Sequence, residues 1–174
     1  SQGVWERFSG KEINNKNIVI IGYGRIGKKV TKILSSFCKN IYIVDPFVKS
    51  SSYNNISYEE SLAIGDIFSI HTNSKECYFD INSLKKTKKN IYIFNASRGH
   101  NLNDQAILYG IKEKIINSVW IDVFDQEPYT KGVLFGHDKI IMTPHIASYT
   151  AECRKKMELD AVLNLVNYLN ENKF

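Results

Sequence analysis

Three short segments carry the side chains that carbonyl reduction needs. They are Asn95-Ala96-Ser97-Arg98-Gly99, Asp122-Val123-Phe124-Asp125-Gln126-Glu127-Pro128 and Thr143-Pro144-His145-Ile146-Ala147-Ser148. A carbonyl that accepts a hydride must be polarised, and its oxygen must receive a proton. His145 is the natural acid near neutral pH. A carboxylate such as Glu127 beside it favours the protonated ring and fixes its orientation. Arg98 can hold a substrate carboxylate through two parallel hydrogen bonds. Taken singly, an Arg or a Glu is ordinarily a solvated surface residue, and a lone His is ordinarily structural. Spacing alone does not make the three converge.

A second constellation binds rather than reacts. Gly22-Tyr23-Gly24-Arg25-Ile26-Gly27 lies between an apolar strand pattern and a helical one, the context that gives a weak motif its weight. Gly22 allows a tight turn, Gly24 lets the backbone approach a pyrophosphate, and Gly27 lets the helix pack close to the strand. The N–H groups of Arg25 and Ile26, at the helix start, would face an anion. Asp45 ends the next strand, 18 residues after Gly27. A carboxylate there accepts hydrogen bonds from the adenosine ribose hydroxyls and repels a 2′-phosphate, so the expected cofactor is NAD rather than NADP. Lys49 is the one nearby counter-signal.

The elements that must position these residues read as alternating strands and helices. Compact apolar runs predict strands at Asn17–Ile21, Ile41–Val44, Ile67–His71, Ile91–Asn95, Ser118–Ile121 and Ile140–Thr143, with a short edge strand near Asn55–Ser57. Continuous rather than alternating apolarity marks strands buried on both faces, as in a parallel sheet. Helix signals lie between them. Ile26, Val30, Ile33, Leu34 and Phe37 form one stripe. Ser57-Tyr58-Glu59-Glu60 has capping-box spacing, and Asn103 caps a helix that Gly110 should stop. A last helix starts near Thr150 and repeats Met157, Ala161, Leu165 and Leu169 at fourfold spacing, flanked by Val162 and Val166. Residues 126–139 read as a loop. The order predicts an α/β fold, a Rossmann-type doubly wound parallel sheet. The three reactive segments each follow a strand, at the carboxyl edge where ligands bind in open α/β sheets.

Composition fits one globular domain of 174 residues with 43% apolar and 24% charged residues, long enough to bury roughly 70% of its unfolded surface. The net charge of +5 comes from scattered lysines and arginines without interleaved aromatics, so no nucleic-acid partner is expected. Cys38, Cys77 and Cys153 are too widely spaced for a disulfide framework or a zinc site, so no metal is expected, and reduced thiols point to the cytoplasm. No signal peptide is visible, and apolar runs such as Ile18 to Ile21 are too short to span a bilayer, so no membrane partner is expected.

Together these motifs resemble the NAD-binding domain of the D-isomer-specific 2-hydroxyacid dehydrogenases. The likeness runs from Trp5-Glu6-Arg7 through Gly22–Gly27, Asp45-Pro46, Ser69-Ile70-His71-Thr72 and Asn95–Gly99 to Asp122–Pro128 and Thr143–Ser148. It implies that Arg98 binds and polarises the substrate, that His145 is the acid/base, and that Glu127 supports His145. It implies that Thr72, Ala96 and Ser97 line the cofactor, that Asp122 holds the nicotinamide carboxamide, and that Ala147 and Ser148 flank the ring. The reaction implied is hydride transfer between NAD(H) and a 2-oxoacid/D-2-hydroxyacid pair. The alternative is a non-catalytic, NAD-responsive binding module, since corepressors similar to this family share the fold.

There are departures. Asn73 stands where the family usually has Pro, and Ala147-Ser148 where phosphoglycerate dehydrogenases commonly have Gly-Gly. Glu127, where the formate-dehydrogenase branch carries Gln, points to hydroxyacid chemistry. In the family the cofactor domain is inserted in a substrate domain. Residues 1–174 are therefore expected to be a cofactor domain with most of the substrate domain absent, either an excised fragment or a stand-alone remnant. Within it, 1–16 would be an N-terminal arm and 150–174 a return helix. The resemblance also implies a homodimer, with Trp5 and Phe8 buried against the partner; the alternative is that this arm packs on its own domain. The Asp45 assignment predicts that NADH binds more tightly than NADPH in a calorimetric titration, and that Asp45→Ala relaxes the preference. Equal or reversed affinity for the unmodified chain would contradict it.

Overall fold

A computed structural model describes Arg7 and residues 9–171. Trp5 and Phe8, expected to be buried against a partner, lie outside the described residues. Seven parallel strands form one sheet in the order β3-β2-β1-β4-β5-β6-β7. They are β1 (Ile18–Ile21), β2 (Ile41–Val44), β3 (Asn54–Asn55), β4 (Ile67–Ile70), β5 (Ile91–Asn95), β6 (Ile116–Ile121) and β7 (Ile140–Met142). Strand order reverses at β1, with β2 on one side and β4 on the other. That reversal opens a crevice at the carboxyl ends of the central strands.

The central strands are Ile- and Val-rich because both faces are covered. Val19, Ile21, Phe68, Ile70, Ile91, Ile93, Val119 and Ile121 face one layer, and Ile18, Ile20, Ile41 and Ile43 face the other. The first layer holds α2 (Tyr58–Ile64), α3 (Ile81–Lys86) and α4 (Asp104–Lys112), through Leu62, Leu84, Ala106 and Ile107. The second holds α1 (Arg25–Leu34), through Val30 and Leu34. Further along the second face, Phe94 and Ile141 stand 40% and 59% exposed, so the cover there is incomplete.

Caps set most helix starts. Ser57 Oγ accepts from Glu60 N (3.1 Å), and Glu60 Oε2 accepts from Ser57 N (2.8 Å), which completes the expected capping box. Asn103 Oδ1 accepts from Ala106 N at 2.9 Å. Asp80 and Ser83 form a second capping box, on α3, a six-residue helix too short to show an apolar period in the sequence.

Three expectations need correction. The α1 stripe is only partly the packed face: Val30 and Leu34 reach the sheet, but Ile26, Ile33 and Phe37 are 60%, 63% and 60% exposed, while Gly27 and Thr31 are buried. Close approach of helix to sheet selects small residues there. Gly110 does not stop α4, which runs on to Lys112. A Cβ on Gly110 would come within 2.7 Å of Ile116 Cδ1, so packing against β6 explains the glycine. The edge strand lies at Asn54–Asn55 rather than 55–57. The last helix, α5 (Ala151–Glu171), forms as expected but buries none of its residues.

Two substitutions test this packing by thermal unfolding. Phe68→Ala removes a fully buried ring set edge-on to Phe79 at 5.1 Å and should cost about 3–5 kcal/mol. Thr31 Oγ1 is buried without a hydrogen-bond partner. Thr31→Val should therefore raise stability by about 1 kcal/mol. A loss on Thr31→Val would show that the hydroxyl is satisfied.

Candidate active site

The glycine loop takes its shape from β1 and the backbone beyond β4. Gly22 has φ +93°, and a Cβ on it would lie 2.6 Å from the His71 carbonyl oxygen, so only glycine fits. A Cβ on Gly27 would meet the Gly22 carbonyl oxygen at 2.0 Å. Around Gly24 there is open space. Gly24 caps α1 without a side-chain bond, and the first turn is closed by Lys28 N donating to Gly24 O at 3.0 Å. The amides of Arg25, Ile26 and Gly27 precede that closure and have no intrahelical acceptor.

Asp45 ends β2 beside this loop. Its Oδ2 accepts from Tyr23 N at 2.7 Å, and its Oδ1 from Phe47 N and Val48 N at 2.9 and 2.8 Å. Burial alone would raise its pKa, but the three backbone N–H groups and nearby Lys49 hold it below the usual carboxylate range. Lys49 Nζ donates to the Asp45 backbone carbonyl at 3.2 Å. A cavity of about 650 Å³ opens here, lined by Gly22, Gly24, Asp45, Tyr58, His71 and Thr72 among others. An open backbone approach at Gly24, free amides and a carboxylate at the cavity wall fit a dinucleotide. His71, half-buried beneath the loop, lies with Nε2 2.8 Å from Ser69 Oγ, and burial pushes its pKa down to about 4.

The three reactive segments meet along the same edge. His145 Nδ1 lies 2.8 Å from Glu127 Oε2, which leaves Nε2 for a substrate. The His145 bond, then the N–H of Phe124 donating to Oε1 at 2.9 Å, lowers the Glu127 pKa. Arg98 is exposed, with Nη1 donating to the Ser97 carbonyl at 2.6 Å. Ala147 and Ser148 are exposed just beyond, and Ala96 and Thr72 are partly buried. Ser97 is buried, with Oγ 2.8 Å from Asn95 Oδ1. A second cavity of about 610 Å³ adjoins Glu127 and His145, walled by Phe124, Tyr129, Phe135, Met142 and Pro144.

Asp122 has a task that the sequence did not suggest. It is fully buried at the end of β6. Its Oδ1 accepts from Thr143 Oγ1 (2.6 Å) and Ile146 N (2.9 Å), and its Oδ2 from Ala147 N (2.9 Å). It thus grips the turn that carries His145. Asn95 is a positioning residue that spacing did not single out: its Nδ2 donates to the Arg98 carbonyl at 2.9 Å. The signal was available: a polar residue closes the otherwise apolar run Ile91–Asn95. Among the described residues no group of three or more His, Cys, Asp and Glu could hold a metal ion.

The family model for the NAD binding domain of D-isomer specific 2-hydroxyacid dehydrogenases matches residues 1–147. The chain belongs to this family. Its relatives include a glyoxylate reductase of Thermofilum pendens, 34% identical over 185 residues, with 96% of this chain and 54% of that protein covered. A D-3-phosphoglycerate dehydrogenase of Mycobacterium leprae is 30% identical over 167 residues, covering 90% of this chain and 32% of that protein. The chain therefore spans about a third to a half of the length of these relatives. Among solved structures, a glyoxylate reductase from Paecilomyes thermophila superposes with TM-score 0.83 at 28% identity, covering 94% of this chain and 52% of that one. D-2-hydroxyisocaproate dehydrogenase superposes with TM-score 0.88 over 96% of this chain and 57% of that one. At 21% identity that likeness speaks to the fold alone. This domain puts its glycine loop and its His–Glu pair on one sheet edge.

Because Asp45 fastens the glycine loop as well as facing the cavity, Asp45→Ala should do more than relax cofactor choice. NADH affinity itself should fall roughly 10- to 150-fold by calorimetry, the worth of a lost charge-assisted bond. Its pKa is depressed, so this contribution is fully present above the ordinary value of 3.8 and is lost only as pH falls through the lower folded value. An unchanged affinity in Asp45→Ala would contradict the clasp.

Proposed function

We propose that the chain is the cofactor domain of an NAD-dependent oxidoreductase that interconverts a 2-oxoacid and a D-2-hydroxyacid. One observation carries this reading: the Glu127–His145 pair, 2.8 Å apart, on the sheet edge that also carries the glycine loop. The dinucleotide, when bound, supplies the hydride. Gly22, Gly24, Gly27 and the amides of Arg25 and Ile26 bind its pyrophosphate, and Asp45 its ribose. Thr72, Ala96 and Ser97 line its path and Ala147 and Ser148 flank the ring; Asp122, expected to hold the carboxamide, is fully buried with both carboxylate oxygens bonded to Thr143, Ile146 and Ala147, and holds that turn instead. Asp45 is read as favouring NAD over NADP; an acyclic imino acid reductase with this fold was solved with NADPH.

The chain's own residues do the rest. Arg98 binds the substrate carboxylate and polarises the carbonyl. His145 holds a proton at Nε2 and delivers it to the carbonyl oxygen during reduction. In oxidation the same nitrogen takes the proton from the hydroxyl. Glu127, bonded to Nδ1, orients the ring and offsets its charge when it is protonated.

Residues 1–174 are read as one domain, with 1–16 as an arm and 150–174 as a return helix toward a substrate domain. We infer a cytoplasmic homodimer without nucleic-acid or membrane partners. Its supports are free cysteines at positions 38, 77 and 153, and apolar side chains on α5 such as Val162, Leu165 and Leu169, 57–59% exposed. Among the described residues no helix is long and apolar enough to cross a membrane. Static light scattering at high concentration should return twice the chain mass; a monomer would end the dimer reading.

The catalytic reading is tested by NADH oxidation with a panel of 2-oxoacids. The isolated chain should bind NADH but turn over slowly or not at all, since positioning needs a second wall. In a protein that also carries the substrate domain, His145→Ala should lower turnover roughly 10²- to 10⁴-fold with NADH affinity nearly intact. Arg98→Ala should raise the Michaelis constant as well. Full activity in His145→Ala would overturn the acid/base assignment. Binding of NADH without turnover of any 2-oxoacid in that longer protein would favour the non-catalytic, NAD-responsive module.

A further inference from the structure

One fully buried polar side chain is used by none of the steps above. Asn101 closes the short 3-10 turn Gly99–Asn101 that follows Arg98, and it has no exposed surface. Its Nδ2 donates to the carbonyl of Ser74 at 3.2 Å and to that of Glu76 at 2.7 Å. Its Oδ1 lies 2.9 Å from Ser97 Oγ. Ser97 Oγ also touches Asn95 Oδ1, and Asn95 Nδ2 holds the Arg98 carbonyl.

These bonds join two walls. Ser74 and Glu76 belong to the segment after β4 that lines the cofactor cavity. The backbone repeats the connection. Tyr78 N donates to the Asn101 carbonyl at 2.9 Å, and Asn103 N donates to that of Phe79 at 3.2 Å. On its other side the turn abuts the segment that leads to Glu127. A Cβ on Gly99 would lie 2.0 Å from Phe124 C and 2.1 Å from Asp125 N. Phe124 N then donates to Glu127 Oε1. The turn is thus wedged between the cofactor wall and the loop of the acid/base pair.

An amide buried at this depth is costly unless its donors and acceptor are used. Asn101 uses both donors and its acceptor, and every partner lies outside its own turn. An aliphatic residue would fill the volume without that requirement. Buried networks satisfied in this way hold their parts in one arrangement.

We propose that Asn101 is a positioning residue, a strut that makes the cofactor wall at 72–76, the Arg98 turn and the Glu127 loop one mechanical body. Occupation of the adenosine end of the cavity then orders Arg98 and Glu127, which the ligand there does not touch. The proposal rests on the cofactor reading given above.

Hydrogen exchange of backbone amides in the 174-residue chain tests it, with ADP as the probe. ADP carries the adenosine and pyrophosphate parts but no nicotinamide, so it cannot reach Arg98 or Glu127. At ADP 100-fold above its Kd, amides whose exchange requires the unbound state should slow by up to about 100-fold. Slowing is expected at 22–27 and 72–76, and also at 99–101 and 124–127. In Asn101→Leu, and in the less disruptive Asn101→Ser, the first two segments should still respond and the last two should not. Each comparison is bound against free within one protein, so a general loss of stability does not imitate the result. Protection confined to 22–27 and 72–76 in the unmodified chain would overturn the strut while leaving the cofactor reading intact. A response at 99–101 and 124–127 that survives in either variant would also overturn it. If neither ADP nor NADH protects any of these segments, the cofactor reading itself fails.

Discussion

The reactive edge hangs on a buried carboxylate. Asp122 has no exposed surface, yet it is accommodated because Thr143, Ile146 and Ala147 supply three donors. Burial would raise its pKa, and those donors hold it below the usual range instead. His145 N donates to the Asp122 carbonyl at 2.8 Å, so the turn is gripped by backbone and side chain together. His145 itself has φ +53°, a region in which non-glycine residues are uncommon. Such a conformation costs on the order of 1–3 kcal/mol and persists only where the surroundings over-determine it. Here they do, and the imidazole is presented to Glu127 on one side and to open space on the other.

The same economy governs the binding half of the edge. Asp45 fastens the glycine loop through Tyr23 and its own turn through Phe47 and Val48. Gly22 and Gly27 are required by backbone contacts, whereas Gly24 faces open space. Two carboxylates at the ends of β2 and β6 therefore shape two loops, and a parallel sheet brings both loops to one side. Neither loop has an extended apolar core of its own. Their geometry is borrowed from strands whose side chains are buried on both faces.

Much of this was legible in the sequence, for identifiable reasons. Strands Ile41–Val44 and Ile91–Asn95 match expectation to the residue, because β-branched runs bounded by polar residues have few other uses. The capping box at Ser57 was visible because its chemistry is local. Along α1 hydrophobicity does not equal burial: only Val30 and Leu34 of the apolar stripe reach the sheet, because the closest contact favours the small Gly27 and Thr31. Helix α3 escaped notice because six residues hold too little periodicity, although Asp80 and Ser83 marked its start. Arg98, Glu127 and His145 were legible as chemistry, but the meeting of Glu127 with His145 was implied only by the family resemblance and not by their spacing. It depends on β6 and β7 pairing side by side, which no local pattern encodes. Asn101 was invisible for a related reason: a sequence does not show that a polar residue turns inward to bond a distant carbonyl.

The central claim is that the glycine loop, Arg98 and the Glu127–His145 pair serve one reacting centre. A crystal structure with NADH and oxamate, a non-reacting 2-oxoacid mimic, tests it most directly, in a protein that carries this domain with a substrate domain. The account predicts the pyrophosphate on the amides of Arg25 and Ile26, the oxamate carboxylate on Arg98, and the nicotinamide C4 and His145 Nε2 both within about 3–3.5 Å of the mimic's reacting group. A dinucleotide seated away from Gly22–Gly27, or a nicotinamide end beyond the reach of His145, would contradict it.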